Sequence, residues 1–78
     1  MTGAHSKPIP GSMVLLAEAP HGLLDGLPME DQQAIAEIVG KPVRLNEYDD
    51  ADRAELEFTD SQGTVHFVYV SPDVIRIV

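Results

Sequence analysis

A chain of 78 residues without cysteine has room for one small core and none for disulfides, thiolate metal sites or a cysteine nucleophile. Thirteen acidic residues against five basic ones give a net charge of −8. A surface that negative repels phosphate backbones and anionic lipid heads, so direct nucleic-acid or membrane binding is not expected. The hydrophobic fraction of 44% is that of a folding chain, and the lack of cysteine suits a reducing cytoplasm, the compartment expected. Small chains without covalent staples gain stability by associating, which makes a homodimer the expected state.

Met1 to Ser12 is rich in Gly, Pro and Ser and has no periodicity. It reads as a disordered or cloning-derived tail at 1–12, since Gly11-Ser12-Met13 has the look of a junction ahead of an original start. The single folded domain is then 13–78. Met13 to Ala19 is an apolar run too short for a signal core and interrupted by Glu18, so an edge strand or a segment packed on the domain is expected. Pro20 to Leu27 is a linker whose Leu23, Leu24 and Leu27 should tuck beneath the sheet.

Pro28 opens a helix expected at about 28–39. Proline suits a first helical position, and Glu30 and Asp31 complement the positive end of the dipole. Ile35, Ile38 and Val39 share one face; Gly40 caps the end and Pro42 forbids continuation. Val43 and Leu45 alternate with Arg44 and Asn46 as a strand, and the acidic run from Glu47 to Asp52 is a solvated turn. Ala54, Leu56 and Phe58 alternate with Glu55, Glu57 and Thr59 in the next strand. Asp60 to Gly63 is turn chemistry, Thr64 to Val70 a strand, Ser71-Pro72-Asp73 a break, and Val74 to Val78 a last strand.

If Asp60 to Gly63 is a four-residue loop, Phe58 faces Val65, Leu56 faces Phe67 and Ala54 faces Tyr69. Glu57 then lies opposite His66, and Glu55 opposite Val68. That register turns Val65, Phe67 and Tyr69 inward and leaves His66, Val68 and Val70 on the outer face. A strand, one proline-containing helical turn and a short aliphatic strand resemble the close of a Src-homology-3-like small barrel, over about residues 42–78. The resemblance implies a mainly β fold with one helix (α+β), a five-stranded SH3-like barrel preceded by that helix. The ligand-binding aromatics and acidic loop of the signalling members are not identifiable, so peptide recognition is not carried over. Val65-His66-Phe67-Val68 also falls where the plasmid-borne small-barrel dihydrofolate reductases carry Val-Gln-Ile-Tyr. None of that family's three pore side chains is matched at His66, Phe67 or Val68, and a net −8 subunit repels anionic substrates, so this activity is not expected.

The remaining candidates for chemistry are weak. A calcium loop begun at Asp50 puts Ala54 and Glu55 where an oxygen ligand and glycine belong, and Ser61 where the closing glutamate belongs. His5, His21 and His66 lack zinc-ligand spacing, and no phosphate-binding glycine loop or nucleophile elbow occurs. Glu57 and His66 read as a cross-strand pair on an exposed face. No catalytic, cofactor-binding or metal-binding residue is assigned, and no cofactor is expected. The expected interface is Glu55, Glu57, His66, Val68 and Val70, an apolar centre rimmed by charge. The expected function is a small, acidic, non-enzymatic protein-interaction or adaptor domain that self-associates through that face. Two alternatives are an enzyme or ligand-binding protein with a site assembled between subunits around His66, and an acidic decoy of a nucleic-acid-binding protein. The decoy needs the carboxylates of residues 47–60 in a linear array.

Overall fold

The computed structural model describes residues 7–19 and 21–78. Strand β1 (Met13–Leu16) is followed by a single helical turn α1 (His21–Leu24) and the helix α2 (Met29–Ile38). Then come β2 (Pro42–Tyr48), β3 (Ala54–Thr59), β4 (Val65–Val70), a 3₁₀ turn (Pro72–Val74) and β5 (Ile75–Ile77). The fold is mainly β with one substantial helix, as the alternation and capping signals require. All five strands join one antiparallel sheet in the order β4-β3-β2-β1-β5. The two outer strands do not pair with each other, so the sheet is open where a closed barrel was expected.

The run expected at an edge, Met13–Leu16, lies inside the sheet. Val14 pairs with Val43 on one side and with Ile77 on the other. Its apolar residues gave the strand but not its place, because the order of strands is fixed by β5 returning across the molecule. Residues 7–12, read from sequence as part of the tail, run alongside β2. The Gly11 amide donates to the Leu45 carbonyl at 2.7 Å, the Leu45 amide to Ser12 at 2.9 Å, and the Tyr48 hydroxyl to Pro8 at 2.8 Å. His5 lies outside the described residues.

Helix α2 ends at Ile38, one residue short of the sequence expectation. Val39 is already extended and makes a parallel bridge to Leu16. Gly40 takes the left-handed conformation (φ 82°), and its amide bonds to Leu16 at 2.9 Å. Ala34 and Ile35 are buried, with Ile38 and Val39 half-buried beside them, so the helix lays one face on the sheet. The largest fully buried side chains among the described residues are Val14, Leu16, Ile35, Leu45 and Leu56, spread over β1, β2, β3 and α2, which makes one continuous core. Leu24 and Leu27 pack at its margin; the side chain of Leu23, expected with them, lies outside the described residues.

The two hairpins are built alike. In the β2–β3 turn the Asp49 amide donates to Arg53 and the Asp52 amide to Asp49; Asp52 is left-handed (φ 62°). In the β3–β4 turn the Asp60 amide donates to Thr64 and the Gly63 amide to Asp60; Gly63 is left-handed (φ 86°). Each is a turn closed by one left-handed residue, the geometry of a three-residue hairpin loop. Asp60 therefore belongs to the ladder and the loop proper is Ser61 to Gly63. The count differs by one from the four-residue loop read in the sequence, and one residue of slip exchanges the faces of a strand. Phe58 pairs with His66, Leu56 with Val68 and Ala54 with Val70, while Glu57 lies opposite Phe67 and Glu55 opposite Tyr69.

Candidate functional site

That register decides which surface of β4 is available to a partner. Val68 and Val70 are 8% and 3% exposed and belong to the core, whereas Val65, Phe67 and Tyr69 are 47%, 55% and 43% exposed. The expected interface is thereby divided. His66, Val68 and Val70 face the core, and Glu55 and Glu57 stand on the opposite face of the sheet, beside Tyr69 and Phe67. The aromatic row, placed inside by the sequence reading, is outside. The signal that carried the true register was Gly63: a left-handed residue closing a three-residue loop puts Asp60 opposite Thr64.

The outer face has its own polar frame. A β-bulge between Leu45 and Glu47 adds Asn46 to β2 without a partner on β3. From there the Asn46 amide donates to Glu57 at 2.9 Å and to Glu55 at 3.2 Å, and accepts from Arg44 Nε at 3.1 Å. The Tyr69 hydroxyl donates to Glu55 at 3.2 Å, and the Arg53 guanidinium lies over the Tyr69 ring, 5.4 Å from its centroid. The Glu55 hydrogen bond and negative charge push the Tyr69 phenol above its ordinary value. The result is a half-exposed apolar row on β4, bordered on β3 and β2 by side chains that are tied to one another.

His66 points the other way and joins three elements. Its Nε2 lies 2.8 Å from Asp60 Oδ2 in the β3–β4 turn, and Nδ1 lies 3.3 Å from Asp31 Oδ1 on α2. The ring stacks on Phe58 with centroids 5.2 Å apart, and its side chain is 11% exposed. It does not pair with Glu57, which lies opposite Phe67 on the other face, so the cross-strand pair expected between them does not form. The side chain of His21 lies outside the described residues. Among the described residues no three His, Asp or Glu side chains converge as metal ligands, and no helix is long and apolar enough to cross a membrane.

The acidic residues also divide. Asp49 Oδ1 accepts the amides of Ala51 and Arg53, and Oδ2 accepts Arg53 Nε at 2.8 Å. Asp60 Oδ1 accepts the amides of Gln62 and Thr64, both at 2.9 Å. Hydrogen bonds from Arg53 hold the Asp49 carboxyl below the usual carboxylate range. Those from His66 and then from the Thr64 and Gln62 amides do the same for Asp60. A depressed native value means that this stabilisation is complete above the unfolded value, about pH 4, and is lost as pH falls through the lower native one. Acid unfolding followed by circular dichroism should therefore steepen below about pH 4. Asp60→Asn keeps the amide acceptor but loses the charge facing His66. It should lower the melting temperature at pH 7 and flatten that acid limb; an unchanged limb would show that Asp60 contributes nothing to it.

No family model, curated protein or solved structure matches the chain.

Proposed function

We propose that this chain is a non-enzymatic protein-interaction domain that self-associates through the outer side of β4, with Val65, Phe67 and Tyr69 as its contact row. The observation that carries the reading is the burial pattern of β4, which exposes three large apolar side chains in a line on an edge strand. Natural edge strands are usually blunted by lysine, proline, a bulge or a covering element. This one contains no Asp, Glu, Lys, Arg or Pro, and its pairing with β3 has no bulge. The Glu55, Glu57 and Asn46 frame gives the row a polar rim, the usual anatomy of a protein contact. The finer fold reading, an SH3-like small barrel, is supported by the β4–3₁₀–β5 ending and by β5 pairing back onto β1.

The test is molar mass by light scattering after size exclusion. Phe67→Asp places a charge at the centre of the row and should convert an associated species to monomer with an unchanged circular dichroism spectrum. Association that survives Phe67→Asp would move the contact elsewhere.

A further inference from the structure

The backbone of β4 says how two copies would meet. In an antiparallel ladder, residues whose amide and carbonyl both point at one neighbour alternate with residues whose groups point away. The Asp60 amide donates to the Thr64 carbonyl, which makes Asp60–Thr64 a hydrogen-bonded pair. Counting along the observed register, Thr59–Val65 is a non-hydrogen-bonded pair, Phe58–His66 a bonded one, and the alternation continues to Val70. His66, Val68 and Val70 therefore spend their backbone groups on β3. The amides and carbonyls of Val65, Phe67 and Tyr69 point to the free edge, where among the described residues no strand is paired. The same three residues carry the exposed side chains. Donors, acceptors and apolar surface thus coincide on alternate positions of one strand.

Resting on the self-association reading above, we infer that a second copy of this chain pairs edge to edge with β4, antiparallel, with Phe67 opposite Phe67 across a twofold axis. Val65 and Tyr69 are equally spaced from Phe67, so the twofold sets each Val65 opposite the other copy's Tyr69. All three pairs are then of the hydrogen-bonded type, and the two sheets become one of ten strands. A shift of two residues either way would leave one end of the row unpaired.

Charge favours this edge over stacking of the two outer faces. A chain with net charge −8 meets itself against repulsion over most of its surface. Stacking two outer faces would bring Glu47, Glu55 and Glu57 of both copies together across about 10 Å. In the edge pairing the nearest carboxylates of that face, Glu57 in each copy, are separated by three strand spacings, roughly 14 Å. That exceeds the Debye length of about 8 Å at physiological ionic strength. The strand between them has no ionised carboxylate or lysine to oppose approach. Dimerisation should accordingly tighten as salt is raised from low to physiological levels.

The absence of cysteine makes the register directly readable. Directly opposed Cα atoms in a hydrogen-bonded antiparallel pair are about 5.5 Å apart, within disulfide reach. Val65→Cys and Tyr69→Cys are prepared as separate single variants, and each is oxidised mildly alone and as an equimolar mixture. The mixture should give the crosslinked heterodimer as the major product, while each variant alone, with its thiols more than 10 Å apart, should stay uncrosslinked. Phe67→Cys should crosslink to itself. A wild-type chain that is dimeric by light scattering, with cysteine variants that crosslink in another pattern or not at all, would overturn this pairing and leave the interaction reading standing. A wild-type chain that stays monomeric at every concentration and salt would remove both.

Discussion

Val68→Asp should abolish the fold, while Phe67→Asp, one residue earlier, should leave it intact. Val68 lies in the core at 8% exposure, opposite Leu56 and beside Val70 on the face that α2 covers. An aspartate there loses the burial of a valine, about 1.5–3 kcal/mol. It must also either hold an unpaired charge away from water or take up a proton, at a further cost of several kcal/mol. A domain of this length has roughly 4–12 kcal/mol of stability in all, so the sum is comparable to the whole. Far-UV circular dichroism at 25 °C should show the loss of the β spectrum and of any cooperative melt. At Phe67 the side chain is already half in water, and the substitution costs no more than about 1 kcal/mol of strand preference. The contrast rests on the register alone. If Val68→Asp folds and Phe67→Asp does not, the strand is turned over and the loop has four residues.

Leu56→Ala should be the most damaging of the conservative truncations. Leu56 has no exposed surface, sits on the central part of β3, and faces Leu45 on one side and Val68 on the other. Removing it leaves a cavity bounded by three strands, with no loop nearby to collapse into it. Such truncations cost about 2–5 kcal/mol. At roughly 4–8 °C per kcal/mol for a domain of this size, the melting temperature should fall by about 8 °C or more. Ile77→Ala is the matched comparison: that side chain is 66% exposed at the end of β5. Its truncation should lie within about 0.5 kcal/mol of wild type. Equal losses at the two positions would mean that the core does not centre on β3.

The two experiments test different levels of the same structure. Val68→Asp and Phe67→Asp read which way β4 faces, and Leu56→Ala reads how tightly the sheet closes on α2. A Phe67→Asp variant that melts like wild type but runs as a monomer would join the two, since it would separate folding from association at a single side chain.

Most of the elements were legible in local pattern, though the helical turn His21–Leu24 lies in a stretch that read as linker. The alternation at 54–59 made a strand, Pro28 with Glu30 and Asp31 started a helix, and Gly40 with Pro42 stopped it, because these are local preferences of backbone and side chain. The mainly β class with one helix followed from their order, and the acidic turns were legible as turns. Three things were decided only in three dimensions. β1 lies between β2 and β5 because a strand's neighbours depend on where distant segments return, which no local pattern encodes. Asn46 is a bulge because Glu47, rather than Asn46, takes the place opposite Glu55. Above all, the facing of β4 turned on one residue of loop length. Both faces of Val-His-Phe-Val-Tyr-Val are apolar enough to be buried, so composition could not choose between them. The choice was made by Asp60, whose backbone pairs with Thr64 and whose carboxylate ties down the Gln62 and Thr64 amides and His66. A strand with two apolar faces takes its orientation from the turn before it, and this turn closes with Gly63 left-handed.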